Sequence, residues 1–107
     1  MLRRGDLYRV AKPGKGDQKA HRVFVIVSRQ PALDSVYSTA ICAPVFSQGG
    51  GTRTEVTVDE RHGLKHASFI QCDNLTSLPK AALTQYVGSL DPDTMELLTQ
   101  ALVAAVT

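Results

Sequence analysis

The chain has no tryptophan, two methionines and two cysteines in 107 residues, and only 6% of it is aromatic. A core made from this composition rests on branched aliphatic side chains rather than on large rings. Cys42 and Cys72 each lie inside an apolar run and form no CxxC pair. That excludes a zinc ribbon or a disulfide framework and points to buried free thiols in a reducing cytoplasm. The three histidines, His21, His62 and His66, are not spaced as ligands on one helix or strand, so neither a metal nor any other cofactor is expected. No apolar stretch approaches a membrane span, and no apolar leader opens the chain. A net charge of +2 is too small for bulk charge to announce a nucleic-acid partner. Nucleotide P-loop, dinucleotide, zinc-protease and hydrolase-elbow motifs are absent, and the glycine run 49–51 lacks the lysine and hydroxyl residue a phosphate cradle needs.

What is present centres on His21 to Arg29, whose residues Val23 to Val27 are all β-branched or aromatic. Such a run favours extended backbone, and because both faces are apolar it predicts a central, fully buried strand. Before it, Gly5 to Val10 alternates as a short first strand, and Ala11 to Ala20 is a glycine- and lysine-containing loop. After it, Gln30 to Val36 can make a short helical turn around Pro31. Thr39 to Phe46 is a third strand in which Pro44 marks a bulge or an end, and Ser47 to Thr52 is a mobile connection. Arg53 to Val58 and Ala67 to Asn74 alternate as two more strands around a turn at Gly63. Leu75 to Leu83 reads as irregular with Pro79 opening a short helix, and Tyr86 to Ser89 as a last strand. Asp91-Pro92 starts a helix to Val106 that carries Met95, Leu98, Leu102 and Ala105 on one stripe. The expected fold is one domain over residues 1–107: a mainly β, α+β architecture, a small bent antiparallel sheet or SH3-like barrel closed by a C-terminal helix.

Charge is distributed unevenly, with Arg3, Arg4, Arg9, Lys12, Lys15, Lys19 and Arg22 among the first 22 residues against Asp6 and Asp17. Such an edge is either solvated or suited to a phosphate backbone. Arg22 stands where the buried run meets the polar loop. Its planar fork suits a phosphate or carboxylate, and the competing assignment is a structural ion pair with Asp6 or Asp73. Ser47 can offer a hydroxyl at the same end of the sheet. Gln71, Asp73 and Asn74 can read base edges or position a nucleophile, or can simply cap the turn at Leu75.

The order Arg4-Gly5-Asp6-Leu7-Tyr8, His21-Arg22-Val23-Phe24-Val25-Ile26-Val27-Ser28, Ala43-Pro44-Val45-Phe46-Ser47, Glu55-Val56, Cys72-Asp73-Asn74 and Gly88-Ser89-Leu90 resembles the MazF/PemK (Kid) toxin family over nearly the whole chain. The resemblance implies a cytoplasmic homodimer, the toxin of a type II toxin–antitoxin pair with an acidic antitoxin partner. It further implies a metal-independent endoribonuclease that cuts single-stranded RNA by attack of the ribose 2′-hydroxyl, leaving a cyclic phosphate and a 5′-hydroxyl. Arg22 matches the family's essential arginine, Asp73 an aspartate with acid–base roles in some members, and Ala11 to Ala20 a segment that covers substrate or is displaced by antitoxin. With Ser47 these form the expected catalytic set Arg22, Ser47 and Asp73. Lys15, Lys19, His21, Phe46, Gln71 and Asn74 are the expected RNA contacts. Three positions depart from the family pattern: Phe46 stands where threonine is usual, Gln71 where one branch has arginine, and Val23 where proline is usual. Two other functions stay open: a toxin that inhibits a protein target such as gyrase, as CcdB does on a similar barrel, and a module that binds RNA without cutting it.

Overall fold

The computed structural model describes residues 1–11 and 21–107. Seven strands are defined in chain order: β1 Asp6–Ala11, β2 His21–Ile26, β3 Thr39–Phe46, β4 Glu55–Val58, β5 Ser68–Gln71, β6 Thr76–Pro79 and β7 Gln85–Ser89. Helix α1 spans Gln30–Leu33 and α2 spans Pro92–Val106. The strands run β4-β5-β3-β2-β1-β7, every pair antiparallel, and β6 joins the N-terminal part of β3. This is the curled, mostly antiparallel sheet with a C-terminal helix that the sequence predicts.

Strand β2 is internal, with β1 on one side and β3 on the other, because its apolar residues feed two cores. Val25 and Val27 join Leu7, Ala43, Val45, Val56, Val58, Ile70 and Cys72 against Leu98 and Ala101 of α2. Ile26, on the opposite face, packs with Tyr8, Val10, Leu33, Ala40, Cys42 and Leu83. The strand is not buried throughout, however: His21 to Phe24 are half-exposed and burial is complete only from Val25 to Ser28. The exposed half lies at the end of the sheet where Arg22 emerges.

Pro44 neither bulges nor ends β3. Pairing with β6 covers Thr39 to Cys42 and pairing with β5 begins at Val45, so the proline occupies the step where β3 exchanges one neighbour for the other. A missing N–H costs no ladder bond at such a step. Strand β6 replaces the expected irregular stretch. Its residues, Thr-Ser-Leu-Pro, show no alternation, and it is a strand because β3 offers it an edge. Past Pro79, Lys80–Ala82 forms the expected short helical turn. The fifth strand is shorter than predicted: it stops at Gln71, and Cys72–Asn74 curl into a 3-10 turn.

Helix α2 keeps its predicted bounds and stripe. Asp91 caps it, accepting from the Thr94 amide at 3.2 Å and the Thr94 hydroxyl at 2.6 Å. His62, almost completely buried, donates from Nε2 to Asp91 at 2.8 Å, while its Nδ1 accepts the Asp59 amide at 3.1 Å. That histidine ties the Glu60–His62 turn to the start of α2. Gly63 follows with φ of 91°, and a side chain there or at Gly88 would run into the backbone of Val87 or His62. Two backbones therefore cross in contact at a point only glycine permits. Among the described residues, no helix is long and apolar enough to cross a membrane.

Candidate active site at the mouth of β2

The register of β2 on β3, with Phe24 opposite Pro44, places Arg22 opposite Phe46 two residues further on. Directly opposed residues share a sheet face. The Arg22 guanidinium accordingly lies 3.9 Å from the centroid of the Phe46 ring, and its Nη1 donates to the Val45 carbonyl at 3.2 Å. Neither carboxylate weighed as its ion-pair partner takes that place. Asp6 is buried and accepts from Ser89 Oγ at 2.8 Å, and Asp73 accepts from Thr54 Oγ1 at 2.7 Å. Among the described residues Arg22 has no ion pair. A stacked, singly anchored fork retains donors for an anion.

Ser47 is exposed in the bend immediately after β3. It lines, together with Arg22, Phe46, Gln48 and Gln71, a depression on the face that carries the guanidinium. A second depression, also containing Arg22 and Ser47, opens toward the α2 side of the sheet. Phe46, half-buried, serves as the shelf on which Arg22 rests rather than as a core residue. His21 lines the second depression. Lys15 and Lys19 lie outside the described residues.

Gln71 is linked to the turn beyond it. Its Nε2 donates to Glu55 Oε2 at 3.3 Å and its Oε1 accepts from Asn74 Nδ2 at 3.0 Å. Glu55 also accepts from Thr52 Oγ1 at 2.9 Å and from the Gly50 amide at 3.0 Å. The hydroxyl of Thr52, then the Gly50 amide, hold the Glu55 carboxyl below its ordinary range. The glycine segment read as a mobile connection is thus tethered to the first residue of β4. Asp73 and Asn74 line neither depression around Arg22. The structure therefore brings together Arg22, Ser47, Phe46 and Gln71, with His21 alongside, and sets Asp73 and Asn74 one turn away.

Arg9, Lys65 and His66 also line the second depression, and no sequence motif assigns them to this site. Arg9 faces it because it is paired with Val23 across β1 and β2. Lys65 and His66 arrive from the loop before β5, for which local sequence gives no signal. Both thiols are buried and free, and burial raises the pKa of Cys42 to about 12 and that of Cys72 to about 11. They contribute packing. No three His, Cys, Asp or Glu side chains lie together as a possible metal set among the described residues.

A curled antiparallel sheet, a closing helix and an arginine at a strand mouth with no acidic partner among the described residues define a small barrel-like protein with a candidate site for an anion. Residues 3–106 match the family described as PemK-like, MazF-like toxin of type II toxin-antitoxin system, and the chain belongs to that family. It is 30% identical over 69 residues to the endoribonuclease MazF3 of Mycobacterium tuberculosis, a match that takes in 64% of this chain and 66% of that relative, just under two thirds of its length. Among solved structures it resembles the Mycobacterium tuberculosis toxin MazF-mt6, with a TM-score of 0.80 and 24% identity over 94% of this chain and 95% of that one. A mycobacterial endoribonuclease in complex with its cognate antitoxin gives a TM-score of 0.82 and 24% identity over 99% and 95% of the two chains. MazF in a MazE–MazF complex from Deinococcus radiodurans gives 0.75 and 19% over 98% and 94%. These last three likenesses are of fold.

Proposed function

We propose that this toxin-family protein is an endoribonuclease that cuts single-stranded RNA without a metal, the ribose 2′-hydroxyl attacking the adjacent phosphorus to leave a 2′,3′-cyclic phosphate and a 5′-hydroxyl. The observation that carries this reading is the Arg22 fork, stacked on Phe46 at 3.9 Å and anchored by Val45, beside the Ser47 hydroxyl in a shared depression. The RNA brings its own nucleophile, so the protein has to position the phosphodiester and stabilise the charge that gathers on its oxygens. Arg22 and Ser47 are donors of the kind that step needs. Asp73 is assigned proton transfer. Because it lies a turn beyond Gln71, an RNA strand that engages it runs from Arg22 across Gln71 toward the Cys72–Asn74 turn. Phe46, Gln71 and Asn74 then meet bases, and Lys15, Lys19 and His21 meet the backbone.

The protein acts as a homodimer whose antitoxin partner is an acidic segment that orders on binding beside the RNA site, in keeping with the antitoxin complexes solved for proteins of this fold. The decisive experiment incubates the purified protein with a long single-stranded RNA in EDTA and maps the ends. Cyclic phosphate and 5′-hydroxyl ends are expected. Binding without cutting identifies an RNA-binding module instead, and inhibition of gyrase with no effect on RNA identifies a protein-targeting toxin. Light scattering at micromolar concentration is expected to show a dimer, and a monomer would refute that part.

A further inference from the structure

The depression on the α2 side of the Arg22 site differs in chemistry from its neighbour. Three fixed cations, Arg9 of β1, Arg22 of β2 and Lys65 of the loop before β5, line it with His21 and His66, and among the described residues no carboxylate lines it. Its floor is apolar, formed by Val23, Val45 and Leu64, and its volume is about 280 Å³. That is near the lower end for ligand sites, roughly 300–1,000 Å³. None of its cationic side chains is in an ion pair among the described residues. Cations brought together from separate elements repel one another in the free protein, and an anion relieves that repulsion. The neighbouring depression offers instead an aromatic edge and the amides of Gln48 and Gln71. Arg22 and Ser47 belong to both.

We propose that this cationic depression, built by Arg9, Lys65 and His66 next to Arg22, is a second phosphate subsite that holds a phosphodiester flanking the one to be cut, and does so without regard to base sequence. The inference rests on the endoribonuclease reading only for the name of the polymer. A strand whose scissile phosphate sits between Arg22 and Ser47 passes through both depressions, because those two residues form their common wall. One side then holds backbone, through charge, and the other meets bases, through an aromatic ring and amides. Phosphate contacts carry affinity and salt dependence, whereas amide and stacking contacts carry sequence choice. An acidic protein segment is disfavoured as the primary occupant, because the depression is continuous with the phosphate position and, among the described residues, adds to its cations only the Ser47 and Ser68 hydroxyls and the His21 and His66 rings to hold a peptide's backbone.

The test measures binding, not cutting, of fluorescent 2′-O-methyl oligoribonucleotides, one A-rich and one U-rich, by anisotropy across a salt series. The double variant Arg9→Gln, Lys65→Gln is compared with a charge-matched control, Arg3→Gln, Arg29→Gln; all four side chains are exposed. The double variant is expected to bind both probes at least ~10-fold more weakly at low salt. Its log K against log salt slope should be shallower by about 0.7 for each phosphate that the variant no longer neutralises. Equal weakening in the control, unchanged binding, no binding of either probe by the parent protein, or an effect confined to one probe overturns the subsite. So does unaltered RNA affinity with weakened binding of a poly-glutamate peptide, which would make the depression a docking site for protein. Binding and cutting fail separately: a parent protein that binds both probes as described but cuts no RNA refutes the nuclease reading and leaves the subsite standing.

Discussion

Replacing Arg22 with alanine removes the donors proposed to meet phosphate, the stack on Phe46 and the bond to the Val45 carbonyl, and these losses have very different sizes. A partly exposed cation–π contact is worth about 0.5–1 kcal/mol. One hydrogen bond to a carbonyl adds about 1 kcal/mol. Together they lower stability by about 1.5–2 kcal/mol, a fall of roughly 6–10 °C in melting temperature for a domain of this size. Losing donors aimed at a developing oxyanion costs about 100-fold or more in rate. At 25 °C the variant should therefore be folded and at least ~100-fold slower on RNA. Arg22→Lys, which keeps the charge and loses both the fork and the planar stack, should recover little of that. Single-turnover cleavage of a fluorogenic RNA, run beside a circular-dichroism melt, gives both quantities. An alanine variant that cuts at the parental rate but melts far earlier would show that Arg22 serves the fold and not the reaction.

Ser47→Ala should slow cleavage at least ~10-fold without altering the melt, as expected for one hydrogen bond to a growing charge; full activity would make the hydroxyl dispensable. The Asp91 carboxyl is held below its ordinary value of 3.8 by the Thr94 hydroxyl and then by His62, so its contribution is complete above that value and is lost as pH falls below it. Asp91→Asn should be less stable at neutral pH and lose less on acidification, and parallel acid-unfolding curves for the two proteins would contradict the charge effect. Gly63→Ala, forced into a φ of 91° against the Val87 carbonyl, should cost about 1–3 kcal/mol or more in urea unfolding, and a neutral effect would refute the close crossing. Cys42 and Cys72 should resist iodoacetamide in the native protein at pH 8 and react once it is unfolded, whereas rapid native labelling would show that the strands carrying them open readily.

The elements that depend on local pattern were legible: the apolar run of β2, the span of β3 and the capped, striped α2 follow from side-chain periodicity and from Asp91-Pro92. Arg22 and Ser47 were legible as a pair because antiparallel neighbours bring the start of one strand to the end of the next. What pattern could not supply was placed by long-range pairing. β6 has no strand signal of its own, and Lys65 and His66 reach the site only because the turn ending at Gly63 is pressed against β7. In the sequence His62 looks like any other histidine; Asp59 and Asp91, on either side of it, fix its two ring nitrogens in the fold. Asp73 reads as an extension of β5, but the chain curls after Gln71 and Thr54 takes its carboxylate.

The opposition of Arg22 and Phe46 is set by a strand that is gripped from both sides. A slip of one residue between β2 and β3 would turn the guanidinium toward α2 and drive Val25 and Ile26 each into the other's environment. With about 1.5–3 kcal/mol at stake for each fully buried aliphatic side chain, these two alone put about 3–6 kcal/mol at risk, a large share of the about 5–15 kcal/mol that holds such a domain together. The register that sets the mouth is therefore as hard to shift as the two cores that fix it. Bending it out of shape means dismantling the fold, whereas shielding it asks nothing of the fold at all. A silencer of this site has an easy route in occupation and a prohibitive one in deformation.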